Sequence, residues 1–212
     1  MKHLDRLDIL DKQQNGFRQK HSCESQLINT IEQISCSVDK KRQVDYLVLD
    51  FAKAFDTVPH QRLLYKLHFY GIRNNTLLWI QNWLTARTQR VVVDGNSSDK
   101  VKVNSGVPQG TVLGPLMFLI YINDVNEQIS SEVKLFADDC LLFREIANKN
   151  DNAILQKDLN TLVKWSDTWQ MSFNIVKCSV LTMSRTEEPN KYKYSMKGSQ
   201  LERKKKTRIS RS

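Results

Sequence analysis

At 212 residues the chain is long enough to bury a sizeable core in one domain. Its net charge of +9 points to an acidic partner, but nine Lys and Arg against the single Glu202 lie between Lys191 and Ser212, so residues 1–190 are nearly neutral. Four scattered cysteines without CxxC spacing argue against a zinc site or a disulfide framework and suit a reducing intracellular compartment, and no apolar run is long enough to cross a bilayer.

Taken in order, residues 2–11 predict a short helix, and QQNGFRQKHS a polar loop. Ser22 is a helix N-cap, and Leu27, Ile31, Ile34 and Val38 step by four, three and four, a stripe expected to pack into the core. Val44 to Phe51 (VDYLVLDF) reads as a buried strand ending in Asp50. Helices are expected from about Pro59 to Tyr70, stopped by Gly71, and from about Asn75 to Thr85. Arg90–Val93 and Val101–Val103 predict a hairpin across the turn DGNSSD.

Ser105 to Gly114 (SGVPQGTVLG) holds three of the seven glycines and lets a backbone or a flat ligand come close. An apolar helix of about Leu113–Val125 leaves this loop. Val133 to Phe143 (VKLFADDCLLF) then predicts a buried hairpin with Asp138 and Asp139 at its tip. Two like charges there need a compensating cation, and a hard divalent ion takes carboxylate oxygens. Taken alone, the pair reads more readily as a solvated acidic turn than as a catalytic one. A helix over Asn152–Trp169 and a strand at Val180–Met183 follow, and beyond Thr186 the composition turns polar and basic, favouring a solvated end.

LVLDFAKAFDTV, NSGVPQGTVLGPLMFLIYINDV, LFADDCLLF and MSFNIVKCSVL resemble motifs A, B, C and D of reverse transcriptases, and NGFRQKHSCESQL resembles the finger segment of non-LTR (LINE), jockey-like retrotransposons. The likeness covers roughly residues 3–200. It implies an α+β polymerase palm, an antiparallel sheet backed by helices, with partial fingers over 1–42, the palm over 43–186, and 187–212 as the start of the primer-grip region without a thumb. Implied too is RNA-directed DNA polymerase activity: dNTPs added to a DNA primer 3′-hydroxyl on an RNA template, with two Mg²⁺ ions (Mn²⁺ as a substitute). Further domains of the retroelement protein are expected as partners, and no membrane.

By the same resemblance Asp50 and Asp138 are primary metal ligands, with Asp139 and the Phe51 carbonyl in support. Phe55 excludes a 2′-hydroxyl, Gln109 and Gly110 line nucleotide and template, Lys177 meets the departing pyrophosphate, and Arg18 reaches the triphosphate. Read without the family, Phe55 is equally a core ring, and Lys177 and Arg18 are ordinary surface cations. An RNA-dependent RNA polymerase is disfavoured by Phe55 and by Ala137 before the Asp pair. A catalytically inactive retroelement fragment, or a nucleic-acid-binding module using the basic tail, are the competing expectations.

Overall fold

The structure, a computed structural model, describes residues 4, 6, 7, 9–18, 21–186 and 188–204. Of the helix expected over 2–11, residues 2, 3, 5 and 8 lie outside these residues, as does the basic tail from 205; Leu4 and Arg6 are helical. The chain divides into two compact units, one of residues 1–10, 53–123 and 169–171, the other of 11–52, 124–168 and 172–212.

The second unit is built on a five-stranded sheet in the order Glu202–Arg203 (β11), Ser179–Met183 (β8), Gln43–Asp50 (β1), Asp139–Ile146 (β7), Glu132–Phe136 (β6). The central strand β1 (Gln43–Asp50) runs antiparallel to both β7 (Asp139–Ile146) and β8 (Ser179–Met183). With partners on both edges its apolar run is buried almost throughout, as a central strand requires. On one face Tyr46 stacks on Phe143 at 4.9 Å, and Val44, Ile34, Leu181 and Met183 close round the pair. β6 (Glu132–Phe136) and β7 form the expected hairpin, joined by the two-residue turn Ala137–Asp138.

Helix α1 (Cys23–Asp39) starts where Ser22 predicts, with a reciprocal capping box between Ser22 and Ser25. Its stripe is not the core element that periodicity suggests. Leu27 and Ile31 are 56% and 50% exposed, and only Ile34 and Val38 are partly buried. The C-terminal half is tied down instead through Ser37, whose hydroxyl donates to Glu145 Oε1 at 2.6 Å. A long helix over Lys149–Trp169 buries Leu155, Leu159 and Leu162 at the predicted spacing.

The segment after Thr186 also departs from composition. Tyr194 and Met196 are fully buried and Leu201 nearly so. β9 (Ser195–Met196) and β10 (Ser199–Gln200) form a hairpin whose turn residues Lys197 and Gly198 both take positive φ, as such turns demand. β11 (Glu202–Arg203) then pairs parallel to β8, which makes the sheet mixed rather than purely antiparallel. The anchor is Asp45, wholly buried, which accepts from Thr182 Oγ1 at 2.7 Å, Tyr194 Oη at 2.9 Å and Gln43 Nε2 at 3.0 Å, with the Arg203 guanidinium 3.5 Å away. Buried charge is tolerated only when its oxygens are satisfied in this way.

The first unit holds the helices α2 (Ala54–Thr57), α3 (His60–Phe69) and α4 (Asn74–Thr85), then a ribbon, then α5 (Leu113–Ile122). α5 is buried over most of its surface, as its apolar sequence demands. The ribbon turns more tightly than expected. β3 (Val92–Val93) pairs with β4 (Asn96–Ser97) across Asp94–Gly95 alone, and β2 (Thr88–Gln89) pairs with β5 (Val101–Lys102) beneath them. Asp-Gly supplies the two positive φ values, 49° and 80°, that a two-residue hairpin turn needs.

Candidate active site

Asp50 and the adjacent pair Asp138–Asp139, far from it in sequence, lie at one end of the sheet. The β1–β7 register sets Asp50 directly opposite Asp139, so both side chains leave the same face, and Asp138 precedes Asp139 on the turn. Asp50 is half-buried, and its Oδ2 is shut off from solvent without a hydrogen-bond partner. Lys177 Nζ stands 3.4 Å from that oxygen, an ion pair lacking hydrogen-bond geometry. Partial burial raises the Asp139 pKa, and the neighbouring Asp138 and Asp50 charges raise it further.

The strand end carrying Asp50 is itself pinned. Its carbonyl accepts from Asn174 N at 2.8 Å and its N–H points at Cys178 Sγ at 3.5 Å. Phe51 stacks on Phe173 at 4.4 Å, and Ala52 N donates to Ser172 O at 2.8 Å, so the segment preceding Lys177 runs beside the end of β1. Cys140, opposite Leu49, and Cys178 are buried. Burial lifts both thiols, Cys140 to about 12, so both stay protonated at neutral pH and offer no soft metal ligand.

The turn presents Asp138 through a strained residue. Ala137 has φ 54°, a left-handed conformation usual for Gly and uncommon for a residue with a Cβ. Gln14, buried in the loop before α1, grips it. Its Oε1 accepts from Ala137 N at 3.0 Å and Gly16 N at 2.8 Å, and its Nε2 donates to Ala137 O at 3.2 Å. Gly16 is required there, since a Cβ would sit 2.3 Å from Ala137 N. The polar composition of this stretch marks it as a loop, in which Arg18 is the one candidate contact. That guanidinium donates from Nη1 to the carbonyls of Asp11, at 2.6 Å, and Gln14, at 3.2 Å.

The first unit carries the other expected residues. Phe55 is half-buried and stacks on Phe118 at 4.5 Å, while its carbonyl accepts from Val107 N at 2.7 Å. Gln109 Nε2 donates to Asp56 Oδ1 at 3.0 Å, and Gly110 beside it is exposed at φ 72°. The loop is bonded to the chain after Phe55 by Gly106 N to Val58 O (2.8 Å) and Ser105 Oγ to Asp56 O (2.9 Å). Gly106 has φ 83°, and any Cβ there would meet the Asp56 carbonyl at 2.7 Å. His60 and Arg87, which no motif singles out, both reach the Gly106 carbonyl, at 2.9 and 2.6 Å. Burial lowers the His60 pKa, which favours the neutral ring as the donor. Gln109, Lys53, Arg87 and Lys102 line a concavity of about 590 Å³.

As they stand, no three Asp, Glu, His or Cys side chains among the described residues are gathered closely enough to hold a metal ion. The donor set nevertheless fits a hard divalent cation. It is all oxygen, one buried carboxylate oxygen lacks a hydrogen bond, and the acids repel one another without a cation between them.

The chain matches the reverse transcriptase (RNA-dependent DNA polymerase) family over residues 1–206 and belongs to it. It is 30% identical over 184 residues to the RNA-directed DNA polymerase from mobile element jockey of Drosophila melanogaster, covering 82% of this chain and 20% of that protein. A probable RNA-directed DNA polymerase from transposon X-element of the same fly is 29% identical over 198 residues, covering 87% and 21%. The chain thus spans about a fifth of the length of these relatives. Among solved structures, apo telomerase from Candida tropicalis superposes with a TM-score of 0.60 at 12% identity, covering 88% of this chain and 40% of that one. Telomerase from Candida albicans in complex with a fragment of telomeric RNA gives 0.63 at 13%, covering 92% and 36%. The fold is therefore that of a polymerase palm. The family works with divalent metal ions, and no helix among the described residues is long and apolar enough to cross a membrane.

Proposed function

We propose that the chain is the palm of an RNA-directed DNA polymerase of a non-LTR retrotransposon, adding dNTPs to a primer 3′-hydroxyl along an RNA template. The observation that carries this reading is the pairing of Asp50 with Asp139 across β1 and β7, with Asp138 on the turn in front. Asp50, Asp138, Asp139 and the Phe51 carbonyl would hold two Mg²⁺ ions, or Mn²⁺ in their place. When bound, such ions acidify the primer hydroxyl and stabilise charge on the leaving oxygen.

The chain's own residues supply the rest. Lys177, paired with Asp50, carries an exposed ammonium suited to neutralising pyrophosphate as it leaves. Phe55, held by Phe118 and by its bonded carbonyl, is a rigid ring that occupies the space of a ribose 2′-hydroxyl. Gln109 and Gly110 form the floor for nucleotide and template, and Arg18 is the candidate contact to the triphosphate. The RNA template, the DNA primer and the remaining domains of a longer retroelement protein are the proposed partners.

Primer extension on poly-rA/oligo-dT with dTTP, with and without Mg²⁺, tests the reading. Metal-dependent extension that disappears in Asp138→Asn is the expected result. Extension that survives this substitution would remove the carboxylates from the mechanism.

A further inference from the structure

We infer that Gln14 is a positioning residue, whose side-chain amide holds the left-handed Ala137 peptide and thereby fixes where Asp138 and Asp139 stand. The inference rests on the metal-binding role proposed for those carboxylates.

Three observations converge on it. Ala137 is a residue with a Cβ at φ 54°, the first of two residues in the turn, where an unconstrained chain would relax or use Gly. Gln14 answers both backbone groups of that residue at once, accepting its N–H and donating to its carbonyl. A primary amide suits this task because it accepts through one atom and donates through another. A carboxylate has no donor, and a hydroxyl has a single atom. Finally, Gln14 is 3% exposed, so it touches no substrate and acts solely through Ala137.

The surrounding backbone makes the clamp stiff. Asn15 N donates to Leu135 O at 2.9 Å and Leu135 N to Gln13 O at 3.1 Å, so residues 13–15 run along the outer edge of β6. Gly16 lets the loop lie directly against the Ala137 peptide. Supports of this kind, one bond removed from the ligating groups, commonly set metal affinity.

The test uses the full 212-residue chain and its Gln14→Ala and Gln14→Glu variants, the second being isosteric. Hydrogen exchange at the Ala137 amide is measured together with Mn²⁺ binding by calorimetry. The expected result is exchange accelerated about tenfold at Ala137, and Mn²⁺ affinity weakened about tenfold or more. Adding Ala137→Gly to Gln14→Ala should restore most of that affinity, because Gly takes this φ without a Cβ penalty. Unchanged exchange at Ala137, a fall in melting temperature without selective exchange there, or no recovery by the glycine would each overturn the inference. An unsubstituted chain that binds no Mn²⁺ would defeat the metal-site reading instead, and exchange at Ala137 would still decide the clamp.

Discussion

Two aspartates on β1, five residues apart, show opposite treatments of a carboxylate. Asp45 is wholly buried, with three donors at 2.7–3.0 Å and a guanidinium beside it. Asp50, at the end of the same strand, keeps one oxygen without a hydrogen bond and faces two further acids. A buried and satisfied acid holds structure together, whereas an under-satisfied one among like charges stores repulsion that a cation can relieve. The difference lies in what folding brings to each, since both begin as an acid in an apolar strand.

Replacing Asp50 or Asp138 by Asn should break function while sparing the fold. Primer extension is expected to fall at least about a thousandfold, with the urea midpoint unchanged or slightly higher. Asp45→Ala should do the reverse. It leaves the Thr182 and Tyr194 hydroxyls and Gln43 Nε2 without their acceptor and Arg203 without its counter-charge, and should cost about 3–5 kcal/mol in urea unfolding. A cost below about 1 kcal/mol would dissolve the contrast. Next in size, Phe55→Val should lower the preference for dNTPs over rNTPs by about 10–100-fold in competing incorporations, with dNTP extension largely kept. An unchanged ratio would make Phe55 a packing residue.

Tyr194→Phe removes one donor to Asp45 and one acceptor for Asn152 Nδ2, and should cost about 1–2 kcal/mol in the same unfolding assay. The smallest effect concerns Asp139, whose folded pKa lies above its unfolded value of about 3.9. The folded state therefore loses stability as pH rises from the unfolded pKa through the folded one, and keeps that penalty above it. Asp139→Asn should thus match the parent below about pH 3.9 and be more stable at neutral pH, by under about 1 kcal/mol for so exposed a group. A thermal melt at both pH values, with and without Mg²⁺, measures this, and greater stability of the parent at neutral pH without metal would contradict it.

How far local sequence reaches is clearest from particular elements. β1, the Asp138–Asp139 hairpin, α5 and the Ser22 cap were legible because their signals are local: apolar runs, an N-cap serine, a glycine cluster. The stripe on α1 misled because periodicity reveals which residues share a face but not whether anything covers it. Composition misled beyond Thr186, where Tyr194, Met196 and Leu201 are buried among basic neighbours. The anchor for them, Asp45, lies about 150 residues upstream. Gln14, His60 and Arg87 carried no signal, since each acts through the backbone of a distant residue.

The amino-acid sequence by itself determined the palm motifs, their order and the acids proposed as metal ligands, because residue type and spacing are one-dimensional facts. Tertiary structure alone decided which acid became a structural anchor and which was left under-satisfied. It also set Ala137 in a left-handed turn beneath a distant amide. These outcomes depend on which groups meet after the chain has closed, and pairing across more than a hundred residues leaves no trace in either segment.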